Sequence, residues 1–281
     1  MTTTNFLYLF SSVSIAVSLF ALMILCNEIG FRMGRYVQEH TDAEIKTLTG
    51  SIQASILGLL ALLLGFTFSM AMQRYDGRSM AVIEEANDIG TALLRVQLLP
   101  GEYQAQTYQL MTEYLTLRVE VGRIDITRYS ERQQHNQQIA ELQHQLWSVG
   151  IAATNADPRA VTTGAFTKSL NDMIDIQGTR NALLQMHVPE AVMLLLFLVF
   201  ISAGGIIGYS AGLSGKRILA PVVLVSLLIT LIVFIIIDLD RPKRGLIMVD
   251  QTPILEVQRS LAVLTQQPAP APSLPRVSPP E

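Results

Sequence analysis

Four histidines, His40, His135, His144 and His187, lie far apart in the chain, and no HExxH spacing or cysteine partner accompanies them. A zinc site needs nitrogen and sulfur ligands at short, repeated spacings, so these residues read as solvated helix-surface histidines. Glu84, Glu85 and Asp88 fall within about one helical turn. Carboxylates so placed could hold a cation or act as acid and base, although a charged helix face is the commoner use. Asp238 and Asp240, followed by Arg241, Lys243 and Arg244, form the densest charge cluster, which suits either an ion site or a helix end pinned at a membrane surface. Gly204, Gly208 and Gly212 lie in an apolar run, without the preceding strand that a dinucleotide loop requires. The one cysteine, Cys26, follows Leu25 where a lipobox needs a small residue, so it reads as a buried thiol. Nothing here points to an enzyme, a cofactor or a bound metal.

The elements that hold these residues are set by composition. Of 281 residues, 50% are apolar and only 15% charged, with a mean hydropathy of +0.37; soluble domains carry about 25% charge. The charge deficit concentrates in four charge-free stretches, Met1 to Asn27, Thr47 to Gln73, Ala191 to Gly215 and Ile218 to Ile237. Each can cross about 30 Å of hydrocarbon. The first lacks the basic start of a cleavable signal and its apolar run is too long for one. A secreted disulfide scaffold, a disordered chain and a wholly soluble enzyme are excluded. A nucleic-acid partner is not expected, because 20 basic residues stand against 23 acidic ones without a dense cluster.

The expected fold is an all-α membrane protein, with four transmembrane helices in two hairpins and a helical soluble insert between helices two and three. The sequence divides into a first hairpin (1–73), the insert (74–188), a second hairpin (189–240), a juxtamembrane segment (241–265) and a tail (266–281). Six prolines in that tail predict disorder. Nothing stops helix two after Gln73: no proline comes before Pro100, and Val82, Ile83, Ala86, Ile89, Leu93 and Leu94 keep helical spacing. As one rod, residues 51–99 would extend roughly 70 Å. Pro100-Gly101 ends it, further amphipathic helices follow, and Asp157-Pro158 resembles an N-cap with a proline in the first turn.

Helix two carries small residues at three- and four-residue steps, Gly58 and Gly65 among them, and helix three carries the doubled GxxxG of Gly204, Gly208 and Gly212. In lipid such seams let backbones approach closely, whether within one subunit, between subunits or along a pore wall. Their extent on two helices predicts a homo-oligomer, weakened by Gly208→Leu. The spans hold no ionisable residue where a charge-coupled transporter would need them; a passive path for small inorganic ions remains.

Two segments carry a resemblance. One runs from Leu64-Gly65-Phe66 to Arg74-Tyr75 and on through Glu85, Asn87, Gly90 and Thr91 to Arg95. The other is Asp238-Leu239-Asp240-Arg241-Pro242, closing at Gly245. Together they resemble the bestrophin-like domain family of bacterial membrane proteins, over about residues 10 to 260. The family's name implies a distant relation to bestrophins, which are pentameric anion channels. In those channels a Leu-Gly-Phe precedes, by eight residues, an arginine and an aromatic, the spacing of Phe66, Arg74 and Tyr75. Carried over, the pore constriction is Gly58, Leu62 and Phe66, with Arg74 and Tyr75 at its mouth; Gly58 departs from the bulky pattern and would leave one ring open. The bestrophin calcium cluster is not reproduced, since the two aspartates alternate with cations, so calcium gating is not implied.

Orientation is nearly balanced. Arg32 and Arg35 after helix one put residues 28–46 in the cytoplasm by the positive-inside rule, whereas the resemblance puts the insert and tail there. Basic residues near span ends are nearly equal on the two sides. The expectation adopted is an inner-membrane protein with a cytoplasmic insert and tail. The function expected is a passive anion channel lined by helix two; the rival is a non-conducting scaffold or sensor acting through the insert.

Overall fold

The computed structural model describes residues 10–124, 128–217, 219–242 and 245–266. The Pro-rich tail, residues 1–9 of the first span, Lys243 and Arg244 lie outside the described residues. All regular elements among those described are helices: α1 (Ser12–Val37), α2 (Ala43–Arg95), α3 (Gly101–Arg123), α4 (Tyr129–Ala156), α5 (Thr163–Gln185), α6 (Glu190–Leu213), α7 (Leu219–Asp240) and α8 (Thr252–Gln266). Four helical stretches are long and apolar enough to cross a membrane: Ser12–His40, Ala43–Leu98, Thr163–Leu213 and Leu219–Asp240.

Local chemistry sets the helix ends. The Ser14 N–H donates to the Ser11 hydroxyl at 3.0 Å, capping α1. α2 runs unbroken through Arg74 and beyond, as its lack of a breaker predicts, and gives way to a short 3-10 turn before Pro100. α5 begins at Thr163, later than the Asp157-Pro158 signal suggests. The reason is that Asp157 ends α4 and organises the turn itself: its carboxylate accepts from Arg159 Nε at 2.7 Å and from the Thr162 hydroxyl at 2.8 Å. Those bonds hold its pKa well below the ordinary aspartate value, the Arg159 side chain contributing most.

The chain forms two compact units. Of the described residues, the first comprises those from 10 to Ala81 and within Thr179–Val249; the second comprises Val82–Ile124, Arg128–Gly178 and those from Asp250 to 266. α2 and α5 each contribute to both. In the first unit α1 packs most closely on α6 and next on α7, so the tightest helix pair joins elements distant in sequence. The glycines explain it: a Cβ on Gly208 would overlap the Asn27 carbonyl, one on Gly212 the Phe31 carbonyl, and one on Gly204 would lie 2.9 Å from Met23 O. Gly30 and Gly34 of α1 answer them, each facing an α6 carbonyl at less than contact distance for a Cβ. Leu60, Leu64 and Ala71 of α2 complete this core with Leu196, Phe200, Val233 and Ile236.

In the second unit α3 packs on α4, and α8, which lies in the juxtamembrane segment, packs on α3. Tyr114, Met111, Ile139, Leu146, Phe166 and Met173 are fully buried there.

Candidate functional site

One side of α2 is packed and the opposite side is open. Leu60, Leu64, Thr67 and Ala71 are buried. Half a turn round, Ser51, Ser55, Gly58, Leu62, Gly65, Phe66, Ser69 and Gln73 are exposed in one line. Leu62, at 55% exposure, and Phe66, at 61%, are its two bulky side chains. A Cβ on Gly58 or Gly65 would meet nothing within 4 Å. The three residues read as a constriction, Gly58, Leu62 and Phe66, therefore share one open face, and Gly65 borders it. On the open side the Ser55 hydroxyl donates to the Ser51 carbonyl at 3.0 Å, a bond that withdraws it from the face.

Arg74 and Tyr75 do not share that line. Both side chains are half-buried on the packed flank, with Tyr75 against the apolar core. Gln73 continues the exposed line, and Arg74 lies beside it.

After α7 the chain folds back on buried carboxylates. Asp238 and Asp240 are 1% and 2% exposed. The Ile247 N–H donates to Asp238 Oδ2 at 2.9 Å, and the Val188 N–H to Asp240 Oδ1 at 2.9 Å. A Cβ on Gly245 would stand 2.5 Å from the Asp238 carboxylate, so a side chain there would have to displace it. Arg241 donates to the Phe10 carbonyl, and Pro242 sits in the turn just past the helix. The two aspartates thus fasten backbone rather than lying open as an ion site or as exposed interfacial charge.

Arg78 joins this lock from α2. It is buried, and it donates to the carbonyls of Leu183 (3.2 Å), Met186 (2.6 Å), Leu239 (3.1 Å) and Asp240 (3.2 Å). Carbonyls at helix C-termini lack helical partners and carry partial negative charge, so one guanidinium satisfies the ends of α5 and α7 together.

Within the second unit, Glu85 and Arg118 form a fully buried ion pair between α2 and α3. Burial is the largest single influence and opposes the Arg118 charge, but Glu85 and Tyr114 together outweigh it and hold the pKa above the ordinary arginine value. Arg95 Nη1 donates to the Ala165 carbonyl at 2.9 Å. Asn87 and Thr91 are exposed, while Gly90 is half-buried, its Cβ position only touching Val257.

The family model of the Bestrophin-like domain matches residues 20–254. The chain belongs to the Bestrophin-like family. No curated protein matches it. Among solved structures, a point variant of a bacterial bestrophin homologue from Klebsiella pneumoniae gives a TM-score of 0.65 at 16% identity, over 92% of this chain and 99% of that one. A second variant of that homologue gives 0.63 at 16% identity, over 89% and 99%. A further membrane-protein variant gives 0.63 at 16%, over 90% and 100%. These likenesses show a shared fold.

In this Bestrophin-like chain the residues singled out from the sequence include two groups. Gly58, Leu62, Gly65 and Phe66 lie on the open face of α2, whereas Glu85, Arg95, Asp238, Asp240, Arg241 and Gly245 hold helices together. Glu84, Glu85 and Asp88 do not converge, since Glu84 is exposed and Glu85 is spent on Arg118. No group of three or more metal-ligating side chains comes together among the described residues. His187 approaches the Asp240 carbonyl at 3.3 Å, and His135 approaches Glu120 at 3.5 Å; the other two histidines are exposed. An open groove of about 660 Å³ runs between α3 and α4 over Leu117 and Leu142.

Arg78 and Arg118 were missed as structural keys. Arg118 had a signal, because it continues the apolar stripe of Met111, Tyr114 and Leu115 on α3. Arg78 had none, since its partners are backbone carbonyls that any sequence offers.

Proposed function

We propose that this Bestrophin-like protein is a passive ion channel of the inner membrane, selective for anions, with the open face of α2 lining its path. The observation that carries the reading is the exposure of Leu62 and Phe66 on a line of α2 that also holds Ser51, Ser55, Gly58, Gly65, Ser69 and Gln73. A ring of such side chains from several protomers forms a constriction that cannot bind an ion but controls wetting. Phenylalanine edges carry partial positive charge, which favours anions over cations there. Gly58 leaves one level of the path wide, Gln73 lies at its end, and Arg74 adds positive charge from the flank.

The path requires a homo-oligomer around α2, pentameric by the bestrophin relation, with Gly65 and its neighbours at the contact between copies. In this reading residues 1–73 and 189–240 cross the bilayer as two hairpins, residues 74–188 form the insert, and the insert and tail are cytoplasmic. Labelling of His135→Cys and His40→Cys variants in intact cells tests that orientation: a cytoplasmic insert predicts protection at 135 and reaction at 40.

Conduction itself is tested by chloride flux in proteoliposomes. Wild type should conduct, and Leu62→Ala with Phe66→Ala should change the flux or its selectivity. Silence of the purified wild type across pH, voltage and calcium favours the scaffold reading, in which the same face only packs.

A further inference from the structure

The C-terminal end of α1 divides into three stripes. Gly30 and Gly34 face α6, fixing the two helices together at this end. Glu28, Arg32 and Arg35 follow one another at steps of four and three residues, and Ile29, Met33 and Tyr36 repeat those steps on the adjoining side. The last stripe is bare, with Met33 60% and Tyr36 86% exposed.

The turn from α6 into α7 brings Lys216 and Arg217 to the same end. Gly215 takes a φ of 69°, and a Cβ there would strike the Gln38 side chain just past α1. The Arg217 guanidinium lies 5.0 Å from the centroid of the Phe31 ring. Glu28 is occupied twice, accepting from Arg32 at 2.9 Å and from Arg217. Arg35 and Lys216 are exposed and make no ion pair among the described residues. Two cations thus share the Glu28 carboxylate and two more stand outside any ion pair among the described residues, with Glu39 just past the helix, beside the bare apolar stripe of α1; Leu219, 59% exposed, starts α7 just past the turn.

We propose that Arg35 and Lys216 bind the phosphate of an anionic phospholipid, whose acyl chains lie along Ile29, Met33 and Leu219. Charge alone would attract any anion; the adjoining apolar stripe selects one attached to hydrocarbon, and the exposed tyrosine suits the headgroup level. Arg35 also stands in the last turn of α1, where a cation complements the helix dipole. That role is indifferent to the lipid headgroup. The inference needs only the membrane reading and is independent of conduction.

Each basic residue at a membrane surface is worth about fivefold in anionic-lipid binding, so the pair should supply about thirtyfold. The test is titration of full-length protein in neutral detergent with phosphatidylglycerol, phosphatidylcholine or inorganic phosphate, read by lipid adducts in native mass spectrometry and by the thermal midpoint. Phosphatidylglycerol alone should bind and raise the midpoint. Arg35→Gln with Lys216→Gln should weaken it roughly thirtyfold, whereas Arg259→Gln, a control on the exposed side of α8, should not. Equal binding of both lipids, an unchanged double variant, or an effect reproduced by inorganic phosphate alone would each overturn the proposal.

Discussion

Gly208→Leu should destabilise the protomer itself, because Gly208 is consumed inside the chain. Its missing Cβ would overlap the Asn27 carbonyl and crowd the Asn27 backbone, and the obstacle is a helix backbone rather than a flexible side chain. α1 must therefore withdraw along the whole Gly30, Gly34, Gly204, Gly208 and Gly212 seam. Overpacking a close-packed interior costs about 1–3 kcal/mol, and the rigidity of this obstacle puts the substitution at the upper end. The helix-propensity gain on replacing glycine returns at most about 1 kcal/mol. A net loss near 2 kcal/mol lowers the thermal midpoint by roughly 4–8 °C for a chain of this size. Gly65→Leu is the matched control: its Cβ has open space in the protomer, so helix content should persist while the detergent-solubilised mass falls toward one protomer. Circular dichroism melts and light scattering of both variants decide the matter. A midpoint for Gly208→Leu within 1 °C of wild type would refute the reasoning.

Arg78→Lys should be nearly as damaging as Arg78→Gln, since a point-charge ammonium cannot serve four separated carbonyls; faster hydrogen exchange at residues 183–188 and 239–247 is the readout. Glu85→Ala should cost about 3–5 kcal/mol by leaving the Arg118 charge buried and unpaired, while Glu85→Leu with Arg118→Met should recover most of it; denaturant melts check both. Acid should loosen the turn after α4. The Asp157 pKa is depressed in the fold, so its contribution is present above the ordinary aspartate value of about 4 and is lost as pH falls below that. Hydrogen exchange at residues 158–163 should accelerate there, and Asp157→Asn should remove the pH dependence.

Much of the fold was legible because its signals are local. The missing breaker between Ser51 and Pro100 announces the length of α2, and charge-free runs announce the apolar helices. The glycines of α6 announce close packing, but glycine spacing carries no address for its partner. The same pattern serves a contact within a chain or between chains, and only the matching Gly30 and Gly34 on α1 decide for the former. Asp157 illustrates a second limit: an aspartate before proline suits a helix start or a hydrogen-bonded turn, and its bonds to Arg159 and Thr162 settle on the turn. In the candidate site, the shared face of Gly58, Leu62 and Phe66 follows from four-residue steps alone. Arg74 and Tyr75 are instead half-buried, because helix packing on that flank is set by neighbouring helices that the linear spacing does not reveal.

The measurement closest to the central claim is chloride flux through purified protein in liposomes, compared between wild type and Leu62→Ala with Phe66→Ala. Both side chains are exposed in the protomer, so their truncation should leave the fold intact. The account predicts chloride conduction by wild type and altered flux or altered anion selectivity in the truncated protein, with unchanged melting and oligomeric mass. Wild-type liposomes that stay silent, or fluxes identical in the two proteins, would contradict it.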